Sequence, residues 1–275
     1  MKAVLDAAQK YMSHDMITKH TELPQFPHCR SELLYTFLKH ELPQREDIYT
    51  LATSLIQMAL DTHDLVELDN VEDMREQRAK QLKVLAGDYF SSRFYYLLSY
   101  ADQIETVKQL AAAICEVNRL KVNLYMKLKN FALTAEEYLN QTVQIRSQLY
   151  LSFSNLFRSG KEKLWQDLLI GFTRCELLRD EIRRTETEGL PYAGYGYWML
   201  LERADTEETE RIKQEDKPQG LTALVSKYNV FGQMQDMLHT HWKELSFKLK
   251  QLEPTVLVKD LLKMGEKLVY TPQKI

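Results

Sequence analysis

Glycine and proline are scarce. The 275 residues hold 9 glycines and 7 prolines, against averages of about 7% and about 5%. Sandwiches and barrels need a turn-maker every few residues, and phosphate-cradling loops need glycine. Their scarcity excludes both and favours long helices. Cysteine is rare too: Cys29, Cys115 and Cys175 lie far apart with no CxxC pair, so neither a disulfide framework nor a zinc site is expected. Cys115 falls in an apolar helical stripe and is expected as a buried free thiol. No charge sign dominates. Lys plus Arg number 36 and Asp plus Glu 39, a net charge of −3, which lacks the basic excess of a nucleic-acid binder. The longest apolar run, Leu110 to Cys115, is far short of the roughly 20 residues that cross a bilayer. Asp6 comes too early for a secretory signal. No transmembrane segment and a cytoplasmic location are the expectations. GxSxG, P-loop and GxGxxG motifs are absent as well.

What is present is helical periodicity. Leu51, Leu55 and Met58 follow 3/4 spacing, as do Leu110, Ile114, Val117, Leu120, Leu124 and Leu128. The longest such run is Leu224, Tyr228, Phe231, Met234, Leu238, Trp242, Leu245 and Leu249, read as one helix. Breaks are expected at Pro24 to Pro27, Pro43, Asn70, Tyr100 to Gln103, Asn130 to Thr134 and Ser159-Gly160. Residues 1–44 read as N-terminal helices. Residues 189–220 read as a long connection with short helical pieces, the candidate for a mobile loop or for a second domain's border. The fold class is all-α, a single domain over 1–275. Between Leu82 and Leu98 one helix carries two apolar stripes, Leu82, Leu85, Tyr89 and Tyr96 on one side and Phe90, Phe94, Leu97 and Ala101 on the other. Such a helix is buried on two sides, in a bundle interior or at a subunit contact.

Two acidic groups invite chemistry. Asp61-Thr62-His63-Asp64 closes a helix, and Asp61 and Asp64 share a face. They read either as part of a Mg²⁺ site or as an acidic, solvated helix end. A His-Asp pair also marks metal-dependent phosphohydrolases, but His14, His20, His28 and His40 stand at no spacing that completes such a site. Glu176, Asp180 and Glu181 are interleaved with Arg179, Arg183 and Arg184, which surface pairing between helical neighbours explains.

The stretch Leu51-Ala-Thr-Ser-Leu-Ile-Gln-Met-Ala-Leu-Asp-Thr-His-Asp64 resembles the helix of trans-prenyltransferases that ends in their first aspartate-rich motif. Val84-Leu-Ala-Gly-Asp88 is similar to their Leu-x-Gly-Asp helix, and Lys227-Tyr228-Asn229 to their late Lys-Tyr-Gly segment. The likeness runs from about residue 45 to 265. Its departures fall on the metal ligands. Asp64 keeps the first carboxylate of the Asp-Asp-x-x-Asp motif, Leu65 and Leu68 replace the others, and Asp69 comes one residue late. Gly171-Phe-Thr-Arg-Cys-Glu-Leu-Leu-Arg-Asp180 occupies the second motif's region without an aspartate pair. A leucine cannot coordinate, and ionising an allylic diphosphate requires cations clamped between two acidic sets.

The resemblance therefore implies an isoprenoid-synthase-type bundle with degenerate motifs, inactive alone. It points to the small, non-catalytic component of two-component polyprenyl diphosphate synthases, heptaprenyl or the near hexaprenyl type. It implies a catalytic large subunit as partner, with Mg²⁺ held there and no cofactor in this chain. It also implies contact with the prenyl diphosphate product and a role in setting the length of the menaquinone side chain. His63, Asp64 and Asp69 are then remnants of the first motif. Ala59, Leu60, Phe90, Phe94, Leu97, Leu98, Ala113 and Val117 are candidates for the partner interface or product channel. Two alternatives stand beside it. One is a self-sufficient terpenoid-type enzyme using Asp61, Asp64, Asp69, Glu176 and Asp180 as ligands. The other is an unrelated HD-type hydrolase or helical interaction module.

Overall fold

The computed structural model describes residues 1–13, 15–20, 22–66, 73–157, 160–214 and 218–270. Among them are thirteen α-helices and no strand: α1 (Lys2–Met12), α2 (Asp15–His20), α3 (His28–Glu41), α4 (Glu46–Asp64), α5 (Met74–Tyr100), α6 (Ile104–Lys129), α7 (Ala135–Leu151), α8 (Lys161–Thr187), α9 (Tyr195–Leu201), α10 (Thr206–Gln214), α11 (Thr222–Lys227), α12 (Val230–Lys250) and α13 (Val256–Tyr270). Several ends are written in the sequence. Asp73 caps α5 by accepting the Arg75 amide at 3.1 Å. Thr134 and Glu137 form a reciprocal capping box before α7, each accepting the other's amide. Asp205 and Glu208 repeat it before α10. No helix among the described residues is long and apolar enough to cross a membrane.

The chain divides into two compact units. The first is Met1–Ile114 with Ser152–Glu162, the second Cys115–Leu151 with Lys163–Ile275. The division does not fall in 189–220, so that stretch is not a domain border.

In the first unit α4 is the central helix. It is buried from Tyr49 to Leu60 and again at Thr62. Three of its buried hydroxyls donate within the helix itself, Thr53 to the Tyr49 carbonyl, Ser54 to Thr50 and Thr62 to Met58, which offsets the cost of burying them. Helix α3 packs along it through a buried Ser31–Ser54 hydroxyl pair at 2.8 Å. At the α5–α6 turn Asp102 takes a left-handed conformation, φ 55°. The Tyr49 hydroxyl and the Arg45 guanidinium both donate to Gln103 there, at 2.6 and 3.1 Å.

In the second unit α8 and α12 carry the core. Gly171 of α8 admits Leu245, and Phe172 and Trp242 pack at 6.1 Å. The residues Tyr195 to Leu200 of α9 are buried, so that piece of the expected connection is core. The long run from Leu224 is two helices rather than one. Asn229 adopts φ 47°, and the absent Cβ of Gly232 leaves room for its amide, which would otherwise lie 2.6 Å from that carbon. Asparagine tolerates the left-handed region better than most residues, so the stripe continues while the backbone breaks. Cys115 corrects an expectation: it is exposed, whereas Cys29 and Cys175 are buried. The inward line of α6 is Leu110, Ala113 and Val117, and position 115 lies off it.

Candidate functional site

The C-terminal end of α4 meets α5 at Gly87. A Cβ there would lie 2.6 Å from the His63 imidazole, so glycine is what lets the ring rest against α5. The ring's Nε2 is then 3.5 Å from the Asp88 carboxylate. Five residues upstream of Asp88 on α5, Lys83 donates to the Leu65 carbonyl at 3.1 Å, placing a cation where the helix dipole of α4 is negative. The two likenesses read separately in the sequence, the His-Asp helix end and the Gly-Asp helix, are thus one contact. On α4's buried side Arg30 donates to Gln57 at 3.0 Å, and Gln57 donates to Asp61 at 2.8 Å. Asp64 is exposed. Asp69 lies outside the described residues.

The stretch that stands where a second acidic motif would be is turned inward. Glu176 and Glu181 are buried, 4% and 5% exposed, which corrects the expectation of surface pairing. Asp180 lies 3.5 Å from Arg146 and 3.0 Å from Arg179. The Glu181 carboxylate accepts the Tyr195 amide, and burial pushes its pKa up. Gly194 makes room for that carboxylate, since a Cβ there would lie 2.6 Å from an oxygen. Burial likewise pushes the Cys175 thiol up to about 12. No sequence signal separated these buried acids from surface ones, because the arginines between them mimic a solvated helix.

The donor set of the described residues does not suit a metal ion. Among the described residues no three His, Cys, Asp or Glu side chains lie close enough to hold one. Asp61, Asp180 and Glu181 answer instead to amides and guanidinium groups of this chain.

The candidate channel and interface residues fall into two sets. Ala59, Leu60, Phe90, Phe94, Leu98 and Ala113 are buried in the first unit and Val117 in the second, while Leu97 is half-buried. Phe90, Phe94 and Leu98 therefore face the chain's own interior. The opposite side of α5 is the exposed one. Leu85 is 61% exposed, Tyr96 59% and Tyr100 84%, and Tyr96 and Tyr100 stack at 6.0 Å. This outward line carries tyrosines and the inward line phenylalanines. That difference was the available signal, because a tyrosine hydroxyl wants water or a partner while a phenylalanine has no polar atom to satisfy.

Residues 14–229 match the sequence model of heptaprenyl diphosphate synthase (HEPPP synthase) subunit 1. Over 85 residues, 31% of this chain and 37% of the relative, the sequence is 39% identical to heptaprenyl diphosphate synthase component 1 of Geobacillus stearothermophilus. The match thus spans little more than a third of that relative's length. Among solved structures, heptaprenyl diphosphate synthase from Staphylococcus aureus aligns with a TM-score of 0.73 at 12% identity, over 98% of this chain and 96% of that one. The polyprenyl synthase from Roseobacter denitrificans aligns at 0.72 and 18%, over 98% and 94%. The polyprenyl synthase from Caulobacter crescentus CB15, complexed with calcium and isoprenyl diphosphate, aligns at 0.73 and 16%, over 98% and 94%. At these identities the structures establish the fold, the helical polyprenyl-synthase fold, and the sequence match supplies the family. The chain belongs to the heptaprenyl diphosphate synthase subunit 1 family.

Proposed function

We propose that this chain is the non-catalytic accessory subunit of a two-component heptaprenyl diphosphate synthase. It joins a catalytic large subunit, completes that subunit's elongation pocket and helps to set the length of the product, the precursor of the menaquinone side chain. It works in the cytoplasm as one isoprenoid-synthase-type domain. The family's component 1 name supports a component 2 as partner. The single observation that carries the reading is the outward face of α5, with Leu85, Tyr96 and Tyr100 largely exposed. Aromatic side chains gathered on one helix face suit a protein interface better than water. The region of the second motif supports a role without catalysis, since its Asp180 pairs with Arg146 and Arg179 of this chain.

Light scattering on mixtures of the purified chain with the catalytic large subunit tests the assembly. A one-to-one complex is expected. Two proteins that elute separately at micromolar concentration would contradict the reading.

A further inference from the structure

The last two helices of the second unit turn a face of mixed basic and apolar side chains to solvent. Helix α13 buries Leu257, Val258, Leu261, Met264 and Leu268, which leaves its other side open. There Lys259, Lys263 and Lys267 recur every fourth residue and stand in one line, all exposed. The line begins and ends on large apolar groups, Val256 at 64% exposed and Tyr270 at 60%. The acids of this helix, Asp260 and Glu266, fall at the two edges of the face. The face passes onto α12. The Tyr270 ring lies 5.7 Å from that of His239, and from His239 a second exposed line runs along α12 through Lys243 to Phe247, itself 63% exposed. The two helices run antiparallel, with Gly265 against Trp242. Phe247 and Val256 therefore share the end where α12 turns into α13, and Tyr270 closes the opposite end. Apolar side chains exposed singly need no explanation, but these three sit on lines whose other members include four lysines and no acid.

We propose that the α12–α13 face docks this chain on an anionic lipid bilayer, with its lysines against lipid phosphates and Phe247, Val256 and Tyr270 among the headgroups. Lysine stems lie along apolar surface while their ammonium groups reach for phosphate, and aromatic rings suit the boundary between headgroup and acyl chain. The chain as a whole carries a net charge of −3, so attraction to an anionic surface belongs to this face and sets the orientation of approach. The spacing favours a bilayer over a folded partner. Val256 and Tyr270 are fourteen residues apart, about 21 Å along α13, and lysines fill the interval. A protein interface gathers its apolar groups at one centre and keeps charge to the rim, whereas a planar lipid surface meets both ends at once. The proposal goes beyond the accessory role and its geometry does not depend on it. Only the use of the docking rests on that reading: a synthase whose product is itself a lipid gains by standing beside the bilayer that takes it up.

The test is flotation of the full-length chain, alone and mixed with the catalytic large subunit, on two kinds of vesicle. One is phosphatidylcholine, the other phosphatidylcholine and phosphatidylglycerol in equal parts. The chain is expected to float with the anionic vesicles at about 0.1 M salt and to be released at about 0.5 M, where the field of the surface is screened. Lys263→Glu combined with Lys267→Glu is expected to lower the partition coefficient at least about tenfold. Phe247→Ser is expected to lower it about threefold or more. Each variant is expected to melt within about 2 °C of the parent, as exposed positions allow. If the double variant fails to fold, Lys263→Gln decides on the same readout, with a smaller fall in the same direction. No flotation, equal flotation with both vesicles, or an unchanged partition of the folded variants overturns the proposal. A parent that does not float, with a double variant that loses the catalytic subunit, gives the face to a protein and overturns it too. Flotation of the chain alone needs neither partner nor turnover, so its failure leaves the accessory role standing, and failure of the accessory role leaves the docking standing.

Discussion

A methyl group added at Gly265 of α13 would collide with the ring of Trp242, a side chain only 4% exposed. Gly265→Ala gains about 1 kcal/mol of helix propensity, but the indole has no room to yield, and overpacking of this kind costs about 1–3 kcal/mol. The substitution is expected to lower the melting temperature, and a raised one would contradict the packing described. Glu181 sets a pH dependence. Burial raises its pKa in the folded chain. Tyr138 and Arg146 face it from α7, Asp180 and Arg184 from α8, and the Tyr195 amide from α9. A carboxyl with a raised folded pKa contributes stability that is complete below its unfolded value and is lost as pH rises through the folded one. Glu181→Gln is therefore expected to flatten the fall in melting temperature from mildly acidic to neutral pH. Parallel curves for parent and variant would refute it.

At the scale of helices, the two faces of α5 have different tasks. The inner face, with Phe90, Phe94 and Leu98, is core, so Phe94→Ala is expected to destabilise by about 3–5 kcal/mol. The outer face is spare to the isolated chain. Tyr96→Lys is expected to leave the melting temperature within about 2 °C of the parent, as surface changes do, and to weaken binding to the catalytic subunit at least tenfold by calorimetric titration. Unchanged affinity would remove α5 from the interface. Helix breaks were legible at Pro27, at Pro43 and before the capping box Thr134–Glu137, whereas the box Asp205–Glu208 lay unread inside the expected connection. The stop before α12 was not legible. Its apolar period runs straight through Asn229, and only the backbone angle there reveals it. The two stripes of α5 were both visible in the sequence, but which one faces inward depends on what α1 and α4 bring against it, and a single helix's period does not contain that. Burial of Glu176 and Glu181 was hidden for a similar reason, since their neighbours come from other helices.

The molecule as a whole has the helical polyprenyl-synthase fold, while the place of the second acidic motif holds Asp180 in contact with arginines of this chain, and the chain is inactive by itself on the reading proposed above. The His63–Gly87–Asp88 contact shows the pattern in small. The residues that best matched the synthases turned out to join α4 to α5. The measurement that reaches this claim most directly is incorporation of labelled isopentenyl diphosphate into farnesyl diphosphate in the presence of Mg²⁺. It is made with this chain alone, with the catalytic large subunit alone and with the two mixed. The account predicts polyprenyl product from the mixture and none from this chain by itself. Product from this chain alone, abolished by Asp64→Ala, would contradict it.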